Sequence, residues 1–133
     1  MKRVFADTYF FLAALNTRDA DYERALDYFG QEGIELVTTA WVLTEVAAAL
    51  APRATRASFV QFYGNLRADS AVFIVPAEPA WFERGLALYG RRLDKDWSLT
   101  DCISFVAMEE QGLREALTGD HHFEQAGFAR LLG

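Results

Sequence analysis

The stretch Val4-Phe5-Ala6-Asp7-Thr8 joins a short apolar run to an acid and a hydroxyl residue. The apolar run predicts a buried strand, and Asp7 with Thr8 can cap a helix that continues through residues 10–15. A carboxylate beside core-forming sequence loses hydration, so Asp7 needs a cation, hydrogen-bond donors or a proton to be tolerated. The stretch therefore predicts a strand that carries an acid to the edge of a sheet.

Three further acids stand within or directly beside apolar runs: Glu45, Asp101 and Asp120. Together with Asp7 they span nearly the whole chain, which suggests one pocket built by the fold. A carboxylate cluster without histidine or cysteine is a hard oxygen site that suits Mg²⁺ or Mn²⁺ rather than zinc or copper. A water activated by such a metal can hydrolyse a phosphodiester bond without a protein nucleophile.

Short apolar runs alternate with helical patterns along the chain. We predict strands at residues 4–6, 35–38, 71–75, 116–118 and 128–132. We predict helices at residues 10–15, 19–31, 39–50, 53–67, 79–93 and 98–111, with a helical turn near His122 and Phe123. The alternation predicts an α/β fold, a three-layer α/β/α sandwich with a central, mainly parallel sheet of four to five strands.

In sheets of this kind, ligands bind beyond the carboxyl ends of the strands, where the strand order reverses. Asp7 and Asp120 each follow a predicted strand. Glu45 and Asp101 fall in the first turns of predicted helices, or soon after, and can face the same crevice. The sequence therefore predicts that all four acids meet at one edge of the sheet.

The composition excludes several classes of protein. The 133 residues predict one domain over residues 1–133, and 52% hydrophobic with 14% aromatic residues exclude disorder. No apolar stretch reaches the ~18–20 residues of a membrane span, and no signal peptide is evident. Cys102 is the only cysteine, which excludes an internal disulfide. We expect a cytoplasmic protein without membrane association.

The net charge of −6 and a pI near 4.8 disfavour a nucleic-acid binder when taken alone. Clustered acids that bind a metal weaken this inference, because the metal reverses the local charge. Basic residues also cluster locally: Arg53 and Arg56, and Arg91, Arg92 and Lys95. The charge pattern is compatible with a phosphate-bearing substrate without predicting one.

Other polar residues compete for a role at the site. Asp94 and Asp96 lie in a segment that resembles a solvated loop, which is the interpretation that we favour for Asp96. His121 and His122 suggest zinc, but no cysteine or third histidine joins them, so we expect them at the surface or at a helix start. We expect Cys102 to pack in the core.

Four segments in order carry a resemblance to a known family: Val4-Phe5-Ala6-Asp7-Thr8, Thr44-Glu45-Val46, Asp96-Trp97-Ser98-Leu99-Thr100-Asp101-Cys102-Ile103-Ser104 and Leu117-Thr118-Gly119-Asp120-His121-His122-Phe123. Over essentially the full chain they resemble the PIN-domain ribonucleases, and more narrowly the VapC-type toxins of toxin–antitoxin pairs. Each motif alone is weak, whereas four in order at suitable separations are specific.

The resemblance implies roles for particular residues. Asp7, Glu45 and Asp101 match the three core metal-binding acids, and Asp120 matches a more variable fourth acid that often binds through water. Thr8 and Ser98 match hydroxyl positions that support the site. The resemblance also implies Mg²⁺- or Mn²⁺-dependent endonucleolytic cleavage of RNA, leaving a 5′-phosphate and a 3′-hydroxyl. It further implies a homodimer inhibited by a VapB-like antitoxin, which can place a basic side chain in the site.

Two alternatives stay open: a housekeeping PIN-domain nuclease without an antitoxin, and an inactive PIN-like interaction domain. The presence of all four acids argues against the inactive domain. A phosphatase of the haloacid dehalogenase type is excluded, because it needs a second aspartate two residues after the first, where this chain has Tyr9.

Overall fold

The computed structural model describes residues Met1–Gly133. Its strands are β1 (Lys2–Ala6), β2 (Ile34–Thr39), β3 (Val72–Val75), β4 (Glu115–Leu117) and β5 (Ala129–Arg130). They form one sheet in the order β3-β2-β1-β4-β5, and every neighbouring pair is parallel. The predicted α/β fold around a parallel sheet is confirmed. The last strand is shorter than predicted, because only Glu115 and Ala116 of β4 pair with it.

Seven helices connect the strands: α1 (Thr8–Ala14), α2 (Tyr22–Tyr28), α3 (Ala40–Ala49), α4 (Arg56–Ala68), α5 (Pro79–Arg91), α6 (Leu99–Gln111) and α7 (His121–Gln125). The second helix ends three residues earlier than predicted. Gly30 and Gly33 follow it with φ of +72° and +79°, in the left-handed region where a helix cannot continue. None of the seven helices is long and apolar enough to cross a membrane.

The chain reverses direction across the sheet between β3 and β4. It runs from β1 through β2 to β3 at one edge, then returns to pair β4 with the other side of β1. Because parallel crossovers are right-handed, α1 to α4 cover one face of the sheet and α5 to α7 cover the other. The strand order therefore reverses between β1 and β4, where a ligand crevice is expected.

The core fixes the central strands tightly. Val4, Phe5 and Ala6 of β1 are fully buried, as are Phe10 and Phe11 on the helix that follows. On the other face of the sheet, aromatic contacts join the last two helices: the ring centroids of Phe105 and Phe123 lie 5.0 Å apart. This packing holds rigid the strand ends and helix starts that carry the predicted acids.

Helices α5 and α6 approach each other at Gly85. A methyl group added there would overlap Ile103 Cγ1 and lie 3.0 Å from Ile103 Cα. The two helices therefore pack at a distance that only glycine permits at this position.

We expect Gly85→Ala to lower the free energy of unfolding by about 1–3 kcal/mol, because an added methyl overpacks the α5–α6 contact. Gly90→Ala in the same helix is the matched control, since nothing lies within 4 Å of a methyl there. It should raise stability by up to about 1 kcal/mol through helix propensity. Urea denaturation measures both; equal effects of the two changes would contradict the packing argument.

Candidate metal centre

An acidic cleft of about 550 Å³ opens at the carboxyl ends of β1 and β4. It is lined by Asp7, Thr8, Tyr9, Glu45, Asp96, Ser98, Asp101, Gly119, Asp120 and His122. The structure thus brings together all four predicted acids and both predicted hydroxyl residues. No lysine or arginine lines the acidic cleft.

Asp7 is the most buried of the four acids in the cleft and is 5% exposed. It is the N-cap residue of α1, yet its side chain makes no capping hydrogen bond. Instead, Thr118 Oγ1 donates to Asp7 Oδ2 over 2.9 Å. Burial raises the pKa of Asp7 to about 7 against the lowering effect of the Thr118 bond, and the charges of Asp101 and Glu45 raise it further.

Glu45 is held by the neighbouring hydroxyl of Thr8. Thr8 Oγ1 donates to Glu45 Oε1 over 2.6 Å. Glu45 lies in the second turn of α3, whose start is fixed by Thr39 Oγ1 accepting from the Val42 N–H at 3.1 Å. The first turn of α1 and the second turn of α3 therefore meet at one carboxylate.

Asp101 is fixed by a capping box at the start of α6. Ser98 Oγ accepts from the Asp101 N–H at 3.0 Å, and Asp101 Oδ2 accepts from the Ser98 N–H at 3.2 Å. Burial raises the pKa of Asp101, opposed by hydrogen bonds from the Ser98 backbone and from His122. Ser98 thus supports Asp101 through its hydroxyl and its backbone together.

Asp120 lies at the start of α7, where its Oδ1 accepts from the His122 N–H at 2.9 Å. Its own N–H donates to Thr118 Oγ1 at 3.0 Å. Thr118 is fully buried and therefore bonds to both Asp7 and Asp120 through one hydroxyl. This role of Thr118 was not predicted from the sequence, although a hydroxyl two residues before Asp120 at a strand end was a usable signal.

The histidines divide between the surface and the acidic cleft. Both belong to the start of α7, as expected, and the side chain of His121 is 67% exposed. The side chain of His122 is only 20% exposed, and its Nδ1 lies 3.1 Å from Asp101 Oδ2. His122 is therefore a residue of the acidic cleft. The sequence pattern alone did not predict this position.

Asp96 also lines the acidic cleft, whereas Asp94 does not. Asp96 is exposed, as a solvated loop residue would be, and it also borders a neighbouring hollow that includes Arg92 and Lys95. Asp94 pairs with Arg92, whose guanidinium lowers the pKa of Asp94 to about 2. Cys102 is fully buried, and burial raises the pKa of its thiol to about 11, in keeping with a packing role.

Arg53 and Arg56, one of the two basic clusters in the sequence, do not take part in the acidic cleft. Arg53 and Arg56 are exposed around the start of α4, and Arg56 Nη1 donates to the Ala51 carbonyl over 2.7 Å. Neither lines the cleft.

Gly119 permits the close approach of Tyr9 to the loop that carries Asp120. A methyl group added at Gly119 would overlap the Tyr9 ring, and Tyr9 in turn donates to the buried Asp21. The ring therefore covers the backbone between Thr118 and Asp120.

The donor set of the acidic cleft fits a divalent cation. Four carboxylates converge without a lysine or arginine to neutralise them, and burial raises the pKa of both Asp7 and Asp101. Carboxylate oxygens are the ligands that Mg²⁺ and Mn²⁺ prefer. A bound cation would offset the repulsion that the geometry creates.

The family model described as PIN domain matches residues 4–129. The chain belongs to the PIN-domain family. The expected resemblance to PIN domains and VapC-type toxins is confirmed by this match and by the similarity to a solved VapC structure. No curated protein matches this PIN domain in sequence.

Solved structures similar to this PIN domain include Mycobacterium tuberculosis VapC20, described as a sarcin–ricin loop cleaving toxin. It is 25% identical, with a TM-score of 0.85 over 98% of this chain and 99% of that one. FitAcB from Neisseria gonorrhoeae is 18% identical, with a TM-score of 0.63 over 96% of each chain. FitAB bound to a DNA fragment is 16% identical, with a TM-score of 0.67 over 96% of this chain and 93% of that one. The two Fit structures share the fold.

We expect Asp7→Asn to stabilise the metal-free protein increasingly as the pH rises from about 4 to 8. The folded-state pKa of about 7 lies above the ordinary 3.8, so unfolding releases a proton and wild-type stability falls across this range. At about 1.4 kcal/mol per pKa unit, the difference reaches about 4 kcal/mol above pH 8. Asparagine keeps the acceptor for Thr118.

Urea denaturation in EDTA at several pH values measures this effect. Asp27→Asn, on the exposed side of α2, is the control and should leave the pH profile unchanged. A profile for Asp7→Asn that runs parallel to wild type would refute the assignment of the pH dependence to Asp7.

Proposed function

We propose that the protein is a Mg²⁺- or Mn²⁺-dependent endoribonuclease that hydrolyses phosphodiester bonds and acts as the toxin of a toxin–antitoxin pair. One observation carries the proposal. Within a PIN domain, four carboxylates from the starts of α1 and α7 and from α3 and α6 converge in a cleft without a lysine or arginine. The proposed domain spans residues 1–133.

Asp7, Glu45 and Asp101 bind the metal directly in this proposal, and Asp120 is the fourth acid. Thr8 restricts Glu45 to one orientation, and Ser98 does the same for Asp101. Such supporting bonds reduce the reorganisation needed when the cation binds. A bound divalent ion supplies a nucleophile by lowering the pKa of a water, and it neutralises charge that develops on the phosphate.

RNA is the proposed substrate. VapC20, which shares nearly the full length of this chain, is described as a sarcin–ricin loop cleaving toxin. The hollow beside the acidic cleft adds support, because Asp96 borders both and Arg92 and Lys95 line the hollow. Positive side chains beside an acidic metal site provide contacts for the phosphates that flank the scissile bond.

An antitoxin and a second copy of the chain are the proposed partners. Similarity in fold to FitAcB and FitAB supports a toxin of the kind that pairs with an antitoxin. The acidic cleft would accept a basic side chain from such an antitoxin, because it contains no lysine or arginine of its own. For the homodimer, Phe82, Leu86 and Tyr89 form an exposed stripe along α5 that a second copy would bury.

We expect Asp7→Asn to lower RNA cleavage at least about 100-fold, because losing several kcal/mol of charge stabilisation corresponds to two or more orders of magnitude. Wild-type cleavage of a mixed RNA pool should require Mg²⁺ or Mn²⁺ and stop in EDTA. An RNA carrying the sarcin–ricin loop is a second substrate in the same assay. Gel analysis with end-labelled RNA also identifies the product ends.

Asp27→Asn is again the control and should cleave at the wild-type rate. Cleavage that persists in EDTA, or that survives equally in Asp7→Asn, would exclude the proposed mechanism.

We expect expression of the wild-type chain to arrest bacterial growth, and co-expression of the antitoxin encoded by a small neighbouring gene to relieve the arrest. Asp7→Asn should not arrest growth, because the proposed toxicity depends on RNA cleavage. Colony counts after induction measure the effect. Wild-type cleavage in vitro without growth arrest would favour a housekeeping nuclease instead.

A further inference from the structure

His122 faces two carboxylates of the acidic cleft with one nitrogen. Its Nδ1 lies 3.1 Å from Asp101 Oδ2 and 3.5 Å from Asp120 Oδ1. No lysine or arginine pairs with either carboxylate. The exposed His121 reaches only Asp120, with its Nδ1 3.7 Å from Asp120 Oδ1, so His122 is the imidazole that contacts both acids.

The backbone holds the two carboxylate oxygens in place. Asp120 Oδ1 is fixed by the His122 N–H, and Asp101 Oδ2 is fixed by the Ser98 N–H. For metal–ligand bonds of about 2.1 Å, neighbouring ligand atoms of a tetrahedral or octahedral ion lie about 3.0–3.4 Å apart. The separations from Nδ1 are close to those of ligands around one ion.

We propose that Asp101, Asp120 and His122 form a nitrogen-containing cation subsite in the acidic cleft, which takes Mn²⁺ or a later transition-metal ion in preference to Mg²⁺. The subsite rests on the proposed metal-dependent activity and adds to it a choice of metal.

The preference follows from the ligand type. Imidazole nitrogen binds transition-metal ions well, whereas Mg²⁺ prefers oxygen and retains its waters. With the ring proton on Nε2, Nδ1 presents a lone pair towards Asp101 and Asp120. Mg²⁺ gains little from this nitrogen, because the carboxylates already supply its preferred ligands.

If His122 only pairs with Asp101, removing His122 is expected to change the cation affinity in the opposite direction. If His122 serves only as a hydrogen-bond partner, removing it frees Asp101 Oδ2 and raises the affinity for every cation. If His122 is a ligand, removing it lowers the affinity for Mn²⁺ and leaves the affinity for Mg²⁺ nearly unchanged.

Pulsed EPR of Mn²⁺ bound to the full-length protein tests the subsite directly, because a coordinated imidazole gives a resolved ¹⁴N coupling. We expect this coupling in wild type and in His121→Ala. The His121 ring is exposed and its Nδ1 lies 3.7 Å from Asp120 Oδ1, so this variant tests whether the coupling belongs to His122 and not to its neighbour. His122→Ala should lose the coupling and weaken Mn²⁺ binding about tenfold, with less than about a twofold change for Mg²⁺. His122→Asn, which replaces the nitrogen donor with an amide oxygen, should also lose it.

A wild-type spectrum without ¹⁴N coupling would overturn the subsite regardless of how the variants fold. Tighter Mn²⁺ binding in His122→Ala, or an equal loss in His121→Ala, would overturn it too. RNA cleavage on the same preparations separates the two proposals. Coupling without cleavage refutes the nuclease and keeps the subsite, whereas Mg²⁺-dependent cleavage without coupling refutes the subsite alone.

Discussion

Parallel pairing of β1 with β4 is the constraint on which the site depends. The register sets Phe5 opposite Ala116 and Ala6 opposite Leu117, so both strands end at the same level. Beyond that level, the Thr118 hydroxyl donates to the Asp7 carboxylate and accepts from the Asp120 N–H. A shift of this register would separate the two acids and leave a buried hydroxyl and a buried carboxylate without partners.

The same geometry makes the acidic cleft electrostatically unfavourable in the absence of a cation. Asp7 loses hydration and faces like charges from Asp101 and Glu45, which is why it retains a proton near neutral pH. Thr8, Ser98 and Thr118 limit the cost by donating to carboxylates or fixing them, yet none of them supplies a positive charge. The preorganised carboxylates lower the folding stability of the metal-free protein, and binding of a cation would restore it.

The sequence predicted most of this arrangement because its strongest signals are local. The apolar run before Asp7 and the serine three residues before Asp101 each specify an element and the position of its acid. The contact of His122 with Asp101 and that of Thr118 with Asp7 could not be assigned in the same way, because each joins residues that are distant in sequence. His122 also has no cysteine or third histidine beside it, and its partners are instead carboxylates of the cleft.

The distribution of the acids along the chain also sets when the site can exist. Thr118 bonds to Asp7 over a sequence separation of 111, among the longest in the molecule. Contacts this far apart form late in folding, since the loop between them must close first. A growing chain that has made Asp7 and Glu45 still lacks Asp101, Asp120 and the strand that positions them. Synthesis therefore yields an incomplete centre until β4 has been made and has paired with β1.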